Sequence, residues 1–315
     1  TLEGNSGTTP LGFTVSLSAP SGKIVTVKYA TADNTATTAN NDYVGIPATL
    51  LTFAPGETSK PAVVTVNGDI TDEDDETFFV NLSDLTNLTT SGSDLQGVGT
   101  ITNDDVAPTV SINDVSTLEG NSGTTPLGFT VSLSAPSGRT ITVKYATADN
   151  TATTANNDYV GIPATLLTSA PGEASKPAVV TVNGDSTYEN DETFLVNLSD
   201  LTNLTPSGSD LQGQGTIQND DPLPTVAFNL NSSQGPESST PVNLEVRLSA
   251  ASGLPVTVGF ATTGGTATGG GVDYTLASGT LTFSPGVTVL NIPVGVVDDA
   301  LYELDETILV TLSSP

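Results

Sequence analysis

Along the middle third of the chain, apolar and polar residues alternate with a period of two. In Phe129-Thr130-Val131-Ser132-Leu133-Ser134 every second side chain is apolar, and Ile141-Thr142-Val143-Lys144-Tyr145 repeats the pattern. Such alternation puts one face of a strand in a core and the other in water. Residues 176–183, 192–199 and 211–218 read alike, and breaker clusters such as Ala170-Pro171-Gly172 and Asn183-Gly184-Asp185 separate them. With the short run Thr109-Val110-Ser111-Ile112, the pattern predicts about seven strands, the count of an immunoglobulin-like Greek-key β-sandwich. The Cys and Trp hallmarks of antibody domains are missing, so only the architecture is expected to carry over.

The pattern recurs. Thr1 to Asp105 aligns with Thr117 to Asp221 without a gap and differs at about a dozen positions, which a recent duplication explains. A diverged third copy follows: Pro224-Thr225-Val226 echoes Pro108-Thr109-Val110, Val272-Asp273-Tyr274 echoes Asn157-Asp158-Tyr159, and Leu304-Asp305-Glu306-Thr307 echoes Asn190-Asp191-Glu192-Thr193. The all-β reading is three tandem sandwiches over 1–105, 106–221 and 222–315. The first is expected to lack its opening strand and the third its last, as in a slice of a longer array, with completion by a neighbouring subunit's strand as the alternative. Val106-Ala107-Pro108 and Pro222-Leu223-Pro224 link the copies, and proline makes such links stiff.

Composition narrows the chemistry. With 35 acidic against 7 basic residues the net charge is -28, a balance that repels nucleic acid and anionic lipid. No segment has the apolar length needed for direct membrane insertion. The absence of Cys excludes structural zinc, and the absence of His removes the usual general base. An enzyme is not expected; a carboxylate pair acting on sugars would want aromatic walls, and there is no Trp.

The acids are not scattered. In the second copy Glu119, Asp158, Asp185, Glu189 and Asp220-Asp221 occupy five places in or beside loops, matched in the first by Glu3, Asp42, Asp69, Glu73 and Asp104-Asp105. The third copy offers Glu237, Asp273, Asp298-Asp299 and Glu303. In an up-and-down sandwich these loops can share one pole, where carboxylates about 4 Å apart repel by roughly 1 kcal/mol even in water. A hard cation relieves this, and many oxygens on flexible loops suit Ca²⁺ better than the tight Mg²⁺ octahedron. The adjoining acids Asp75, Glu76, Asp191, Glu192, Asp305 and Glu306 read instead as turn caps. Tyr29, Tyr145 and Phe260 read as core plugs, and Ser169, standing where the other copies have Phe53 and Phe283, predicts a less filled second core.

In combination, Leu118-Glu119-Gly120-Asn121-Ser122-Gly123, Asn157-Asp158-Tyr159, Ala170-Pro171-Gly172-Glu173, Asn190-Asp191-Glu192-Thr193-Phe194 and Gly215-Thr216-Ile217-Gln218-Asn219-Asp220-Asp221 resemble the Calx-beta repeat. The resemblance implies Ca²⁺ ligation by Glu119, Asp158, Asp185, Glu189, Asp220 and Asp221 and by their counterparts. Asn219 stands where the family has a third terminal acid, which implies fewer or weaker ions. The expected role is a calcium-stiffened structural or adhesive rod, extracellular or on a cell surface, with neighbouring repeats, other surface proteins or further copies of itself as partners. The alternatives are a filament subunit and a calcium-sensing regulatory domain.

Overall fold

The computed structural model describes residues 1–313, in which every regular element is a strand. The first repeat holds β1 (Gly7–Ser16), β2 (Val25–Asp33), β3 (Thr49–Phe53), β4 (Ser59–Gly68), β5 (Glu76–Thr86) and β6 (Gln96–Ile101). β1 pairs with β4 as one sheet, and the facing sheet runs β3-β2-β5-β6. The second repeat holds β7 (Val110–Ile112), β8 (Val115–Leu118), β9 (Gly123–Leu133), β10 (Ile141–Asp149), β11 (Thr165–Ser169), β12 (Ser175–Gly184), β13 (Glu192–Thr202) and β14 (Gln212–Gln218). Its sheets run β12-β9-β7 and β11-β10-β13-β14-β8. The third holds β15 (Val226–Phe228), β16 (Val242–Leu248), β17 (Val256–Gly265), β18 (Tyr274–Thr275), β19 (Gly279–Phe283), β20 (Val289–Val296) and β21 (Ile308–Ser313), in sheets β15-β16-β20-β18 and β19-β17-β21.

The opening strand of the complete repeat is two strands, not one. β7 pairs antiparallel with β9, then the chain crosses and β8 pairs parallel with β14 in the opposite sheet. Asn113 and Asp114 make the switch: Asn113 Oδ1 accepts from the Thr130 N–H at 2.6 Å and Asp114 Oδ1 from the Gln214 N–H at 2.7 Å, one on each sheet. In the first repeat a single parallel bridge between Leu2 and Thr102 is what remains of this pairing.

Alternation along β5 and β13 buries Phe78 with Val80 and Phe194 with Val196. Each Phe stacks on a loop tyrosine, Tyr43 or Tyr159, with ring centroids 4.4 Å apart. Gly99 and Gly215 lie against these rings, and a Cβ there would fall 2.4 Å from ring carbon, so the close strand approach requires glycine. Phe53 and Phe283 are fully buried and Ser169 is buried at the same register, facing Ile141 where Phe53 faces Val25. Tyr29, Tyr145 and Phe260 pack half-buried on the cores.

Consecutive repeats meet at a small backbone contact. The loop after β4 sits on the turn between β9 and β10, where the Gly138 N–H and the Ser137 hydroxyl donate to the Asp72 carbonyl at 2.9 and 3.0 Å. Arg139 ion-pairs with Asp74 at 3.0 Å and donates to the Glu73 carbonyl. At the next junction the Gly253 N–H donates to the Tyr188 carbonyl at 2.9 Å, and the Tyr188 N–H to that of Ala251 at 3.4 Å.

Candidate metal centre

Each acidic position is pinned by the fold beside it. Tyr159 is a core residue whose hydroxyl donates to Asp149 at 2.6 Å, and this holds its neighbour Asp158 at the rim, where Asp158 Oδ2 accepts from the Thr153 N–H at 2.6 Å. Asp42 is held by Thr37 in the same way. The turn carrying Glu119 is pressed against the end of β12: a Cβ on Gly184 would lie 2.0 Å from the Gly120 carbonyl oxygen, so only glycine permits the approach. Asp220 ties that turn to the chain exit by accepting from the Gly120 N–H at 3.1 Å, as Asp104 does for Gly4 at 3.0 Å. Asp185 accepts from the Thr187 N–H at 2.6 Å and Asp69 from the Thr71 N–H at 2.7 Å, shaping the loops that present Glu189 and Glu73.

Convergence is visible in the spacing. Asp42, Glu73 and Glu76 each offer an oxygen within 4.8 Å of the others, as do Asp158, Glu189 and Glu192, and Asp273, Glu303 and Glu306. Oxygens bound about 2.4 Å from one Ca²⁺ are separated by at most roughly 5 Å, so each trio fits a shared ion. A second group lies alongside in the first two repeats. Glu119 feels Asp185, Asp221, Glu189 and Asp220, and Glu3 feels Asp69, Asp105, Glu73 and Asp104.

The electrostatic state is that of an acid cluster without a counter-charge. Burial first, and then these neighbouring carboxylates, push Glu3 and Glu119 up to about 7. Burial and then Asp42 push Glu76 up to about 8, and burial followed by a hydrogen bond to Asp158 pushes Glu192 up to about 7. Glu73, Glu189 and Asp221 are raised as well, burial leading in each. Among the described residues no Lys or Arg ion-pairs with Glu3, Glu119 or either trio of the first two repeats. Glu3 Oε1, Asp105 Oδ2, Glu119 Oε1 and Asp221 Oδ2 are buried and have no hydrogen-bond partner. Glu119 is only 8% exposed. Buried carboxylate oxygens left without a donor are costly, and a divalent cation is the partner their chemistry suits.

Against the sequence expectations, the structure brings together Glu3, Asp42, Asp69, Glu73, Asp104 and Asp105 in the first repeat and Glu119, Asp158, Asp185, Glu189, Asp220 and Asp221 in the second. In the third, Asp273, Asp299 and Glu237 all act on Glu303, and Asp298 is exposed and enters none of these interactions. Glu76, Glu192 and Glu306, expected as turn caps, each place a carboxylate oxygen in one of the trios. Their neighbours Asp75 and Asp191 do bind backbone, accepting from the N–H of Asn103 at 3.0 Å and of Asn219 at 3.1 Å, across the site instead of within a local turn. Period two was the missed signal, since Glu76 shares the inward face of β5 with Phe78 and Val80, where a solvated cap does not belong. Asn103 and Asn219, where the resemblance wants an acid, accept from the N–H of Glu73 at 3.3 Å and of Glu189 at 3.0 Å.

The profile of the Calx-beta domain matches residues 3–116, 102–221 and 219–315. The chain belongs to the Calx-beta family. Its relatives include sodium/calcium exchanger 1 of Cavia porcellus, 32% identical over 193 residues, and sodium/calcium exchanger 3 of Rattus norvegicus, 32% identical over 198 residues. Each alignment takes in 56% of this chain but only 20% and 21% of the exchangers, so the match spans about a fifth of those relatives' length. Among solved structures, the calcium binding domain CBD12 of CALX1.1 is 23% identical, covering 66% of this chain and 78% of that one with a TM-score of 0.31.

Proposed function

We propose that this Calx-beta chain is a calcium-binding module whose first two repeats hold Ca²⁺ at the pole facing the next repeat. The observation that carries this reading is the set of buried, unpartnered oxygens of Glu3, Asp105, Glu119 and Asp221, aimed into a cluster of further carboxylates. Asp42, Glu73 and Glu76, with Asp158, Glu189 and Glu192, would supply the remaining oxygens. The third repeat is the weaker binder, since Glu237, Glu303 and Glu306 are exposed.

Mechanically, the metal would stiffen a rod. Glu73 and Glu189 reach the junctions while belonging to the trios, and the linkers begin directly after Asp105 and Asp221. Neutralising the cluster therefore orders the loop on which the next repeat sits. Near-identical tandem copies suit a spacer, since a copied unit adds length without new chemistry, and a structural or adhesive role outside the cell or on its surface follows. Small-angle scattering with Ca²⁺ and with chelator tests it: the maximum dimension should sharpen and lengthen with Ca²⁺, and identical profiles would refute the rod. A regulatory calcium sensor is the second reading, favoured by the exchanger relatives. Affinity separates the two, at about 10⁻⁴ to 10⁻³ M for an extracellular module and 10⁻⁷ to 10⁻⁵ M for a sensor.

A further inference from the structure

The two junctions are built on the same backbone contact but keyed differently. In the first, the seat Ser137-Gly138-Arg139 receives a loop with acids at Asp72 and Asp74, and Arg139 reaches both, at 3.9 and 3.0 Å. In the second, the seat is Ser252-Gly253-Leu254, and the loop has Tyr188 and Asn190 at the same two places. Basic seat meets acidic loop, and apolar seat meets neutral loop. The first two repeats are otherwise nearly identical, yet Lys23/Arg139, Asp72/Tyr188 and Asp74/Asn190 are among their few differences. Both seats retain the glycine because the loop glutamate lies on it: a Cβ on Gly138 would come within 2.6 Å of Glu73 Oε1, and one on Gly253 within 2.5 Å of Glu189 Oε1.

The first repeat carries the same seat as Ser21-Gly22-Lys23, with nothing within 4 Å of a Cβ built on Gly22 and with Lys23 exposed. No local packing asks for glycine here. At the other end the loop of the third repeat presents Tyr302, 95% exposed, with Leu301 and Leu304 at 71% and 80%. That loop is of the neutral kind.

We infer that Ser21-Gly22-Lys23 is a docking seat for the metal-side loop of another Calx-beta repeat, and that Lys23 selects a loop with acids at the positions of Asp72 and Asp74. Binding would use the seat's backbone N–H and serine hydroxyl for the loop carbonyl, as at Gly138 and Ser137, and Lys23 for the acids. The contact rests on backbone and charge pairing rather than on the calcium reading, so it stands or falls separately.

A titration of the full chain tests this. The wild-type chain, labelled, is the acceptor. One donor is the chain carrying Lys23→Glu, which disables its own seat, together with Tyr302→Asp and Leu304→Asp, which make its loop acidic. The reference donor carries Lys23→Glu alone. Within a chain the tether supplies an effective concentration of order mM, so the titration runs to about 1 mM. The acidic donor should bind at least tenfold more tightly than the reference donor, weaken with added salt, and lose binding to a Gly22→Val acceptor, whose new side chain has room in the free protein but meets the incoming glutamate. Equal binding of the two donors, tighter binding of the reference donor, no binding of either, or an undiminished Gly22→Val acceptor would each overturn the inference. Substitutions at these exposed sites leave the cores intact, and circular dichroism of each variant confirms folding before the titration.

Discussion

Without metal, the acid cluster should make this protein more stable as the pH falls from 7 toward 5, the reverse of ordinary acid denaturation. Glu119 has an unfolded value of 4.5 and is pushed up to about 7 in the fold. Between these values the folded chain binds more protons than the unfolded one, so stability declines as pH rises through the window. The interval of about 2.5 units, at 1.36 kcal/mol each, gives an upper figure of about 3 kcal/mol for Glu119. Glu3 contributes a similar shift to the first repeat. Groups shifted the other way, Asp33 and Asp149 through their tyrosine hydrogen bonds and Glu57 and Glu173 through nearby backbone and lysine, titrate below this window. Urea unfolding in chelator, followed by far-ultraviolet circular dichroism at pH 5 and 7.5, should give higher midpoints at pH 5 for the first two repeats. Glu119→Gln should reduce this dependence in the second repeat only, leaving the share carried by Glu192, and saturating Ca²⁺ should reverse its sign because the ion favours the deprotonated form. Midpoints in chelator that rise from pH 5 to 7.5 would refute the reasoning.

Three further outcomes follow. Glu192→Gln should lower the Ca²⁺ affinity of the second repeat about tenfold or more while Asp191→Ala destabilises it by about 1 kcal/mol, a contrast that titration and unfolding of each variant would read; the opposite pattern would restore the capping role to Glu192. Ser169→Phe should stabilise the second repeat by about 2 kcal/mol, since Phe53 and Phe283 fill the same place in its neighbours, and an unchanged unfolding midpoint would mean that the core has already closed over the serine. Gly215→Ala should cost about 1 to 3 kcal/mol, because the added carbon would fall 2.4 Å from the Phe194 ring, whereas Gly128→Ala, in open space on β9, should change stability far less.

Much of this architecture can be read directly from the residues. Phe129-Thr130-Val131 and its kin alternate in the folded strands, and the repeat is plain once the chain is slid along itself. The division of the opening strand between β7 and β8 was hidden because Val110, Ile112 and Val115 are too few to show where a strand changes sheet; hydrogen bonds accepted by Asn113 and Asp114 decide it. The loop acids were legible as a set because independent loops repeat them in two copies. Glu76 and Glu192 escaped because adjacency to Asp75 and Asp191 suggested a shared capping role, while strand periodicity sends the two neighbours to opposite sides. The junction contacts were not legible at all, since Ser137-Gly138 and Ser252-Gly253 look like any turn until a loop from another repeat is seen resting on them.

The central claim is that the buried carboxylates of the first two repeats are completed by calcium. Calorimetric titration of Ca²⁺ into the chain, beside a Glu3→Gln, Glu119→Gln variant, addresses it most directly. Saturable heat in the parent chain that falls sharply in the variant is the expected result; equal heats from both, or no saturable heat in the parent, would contradict it.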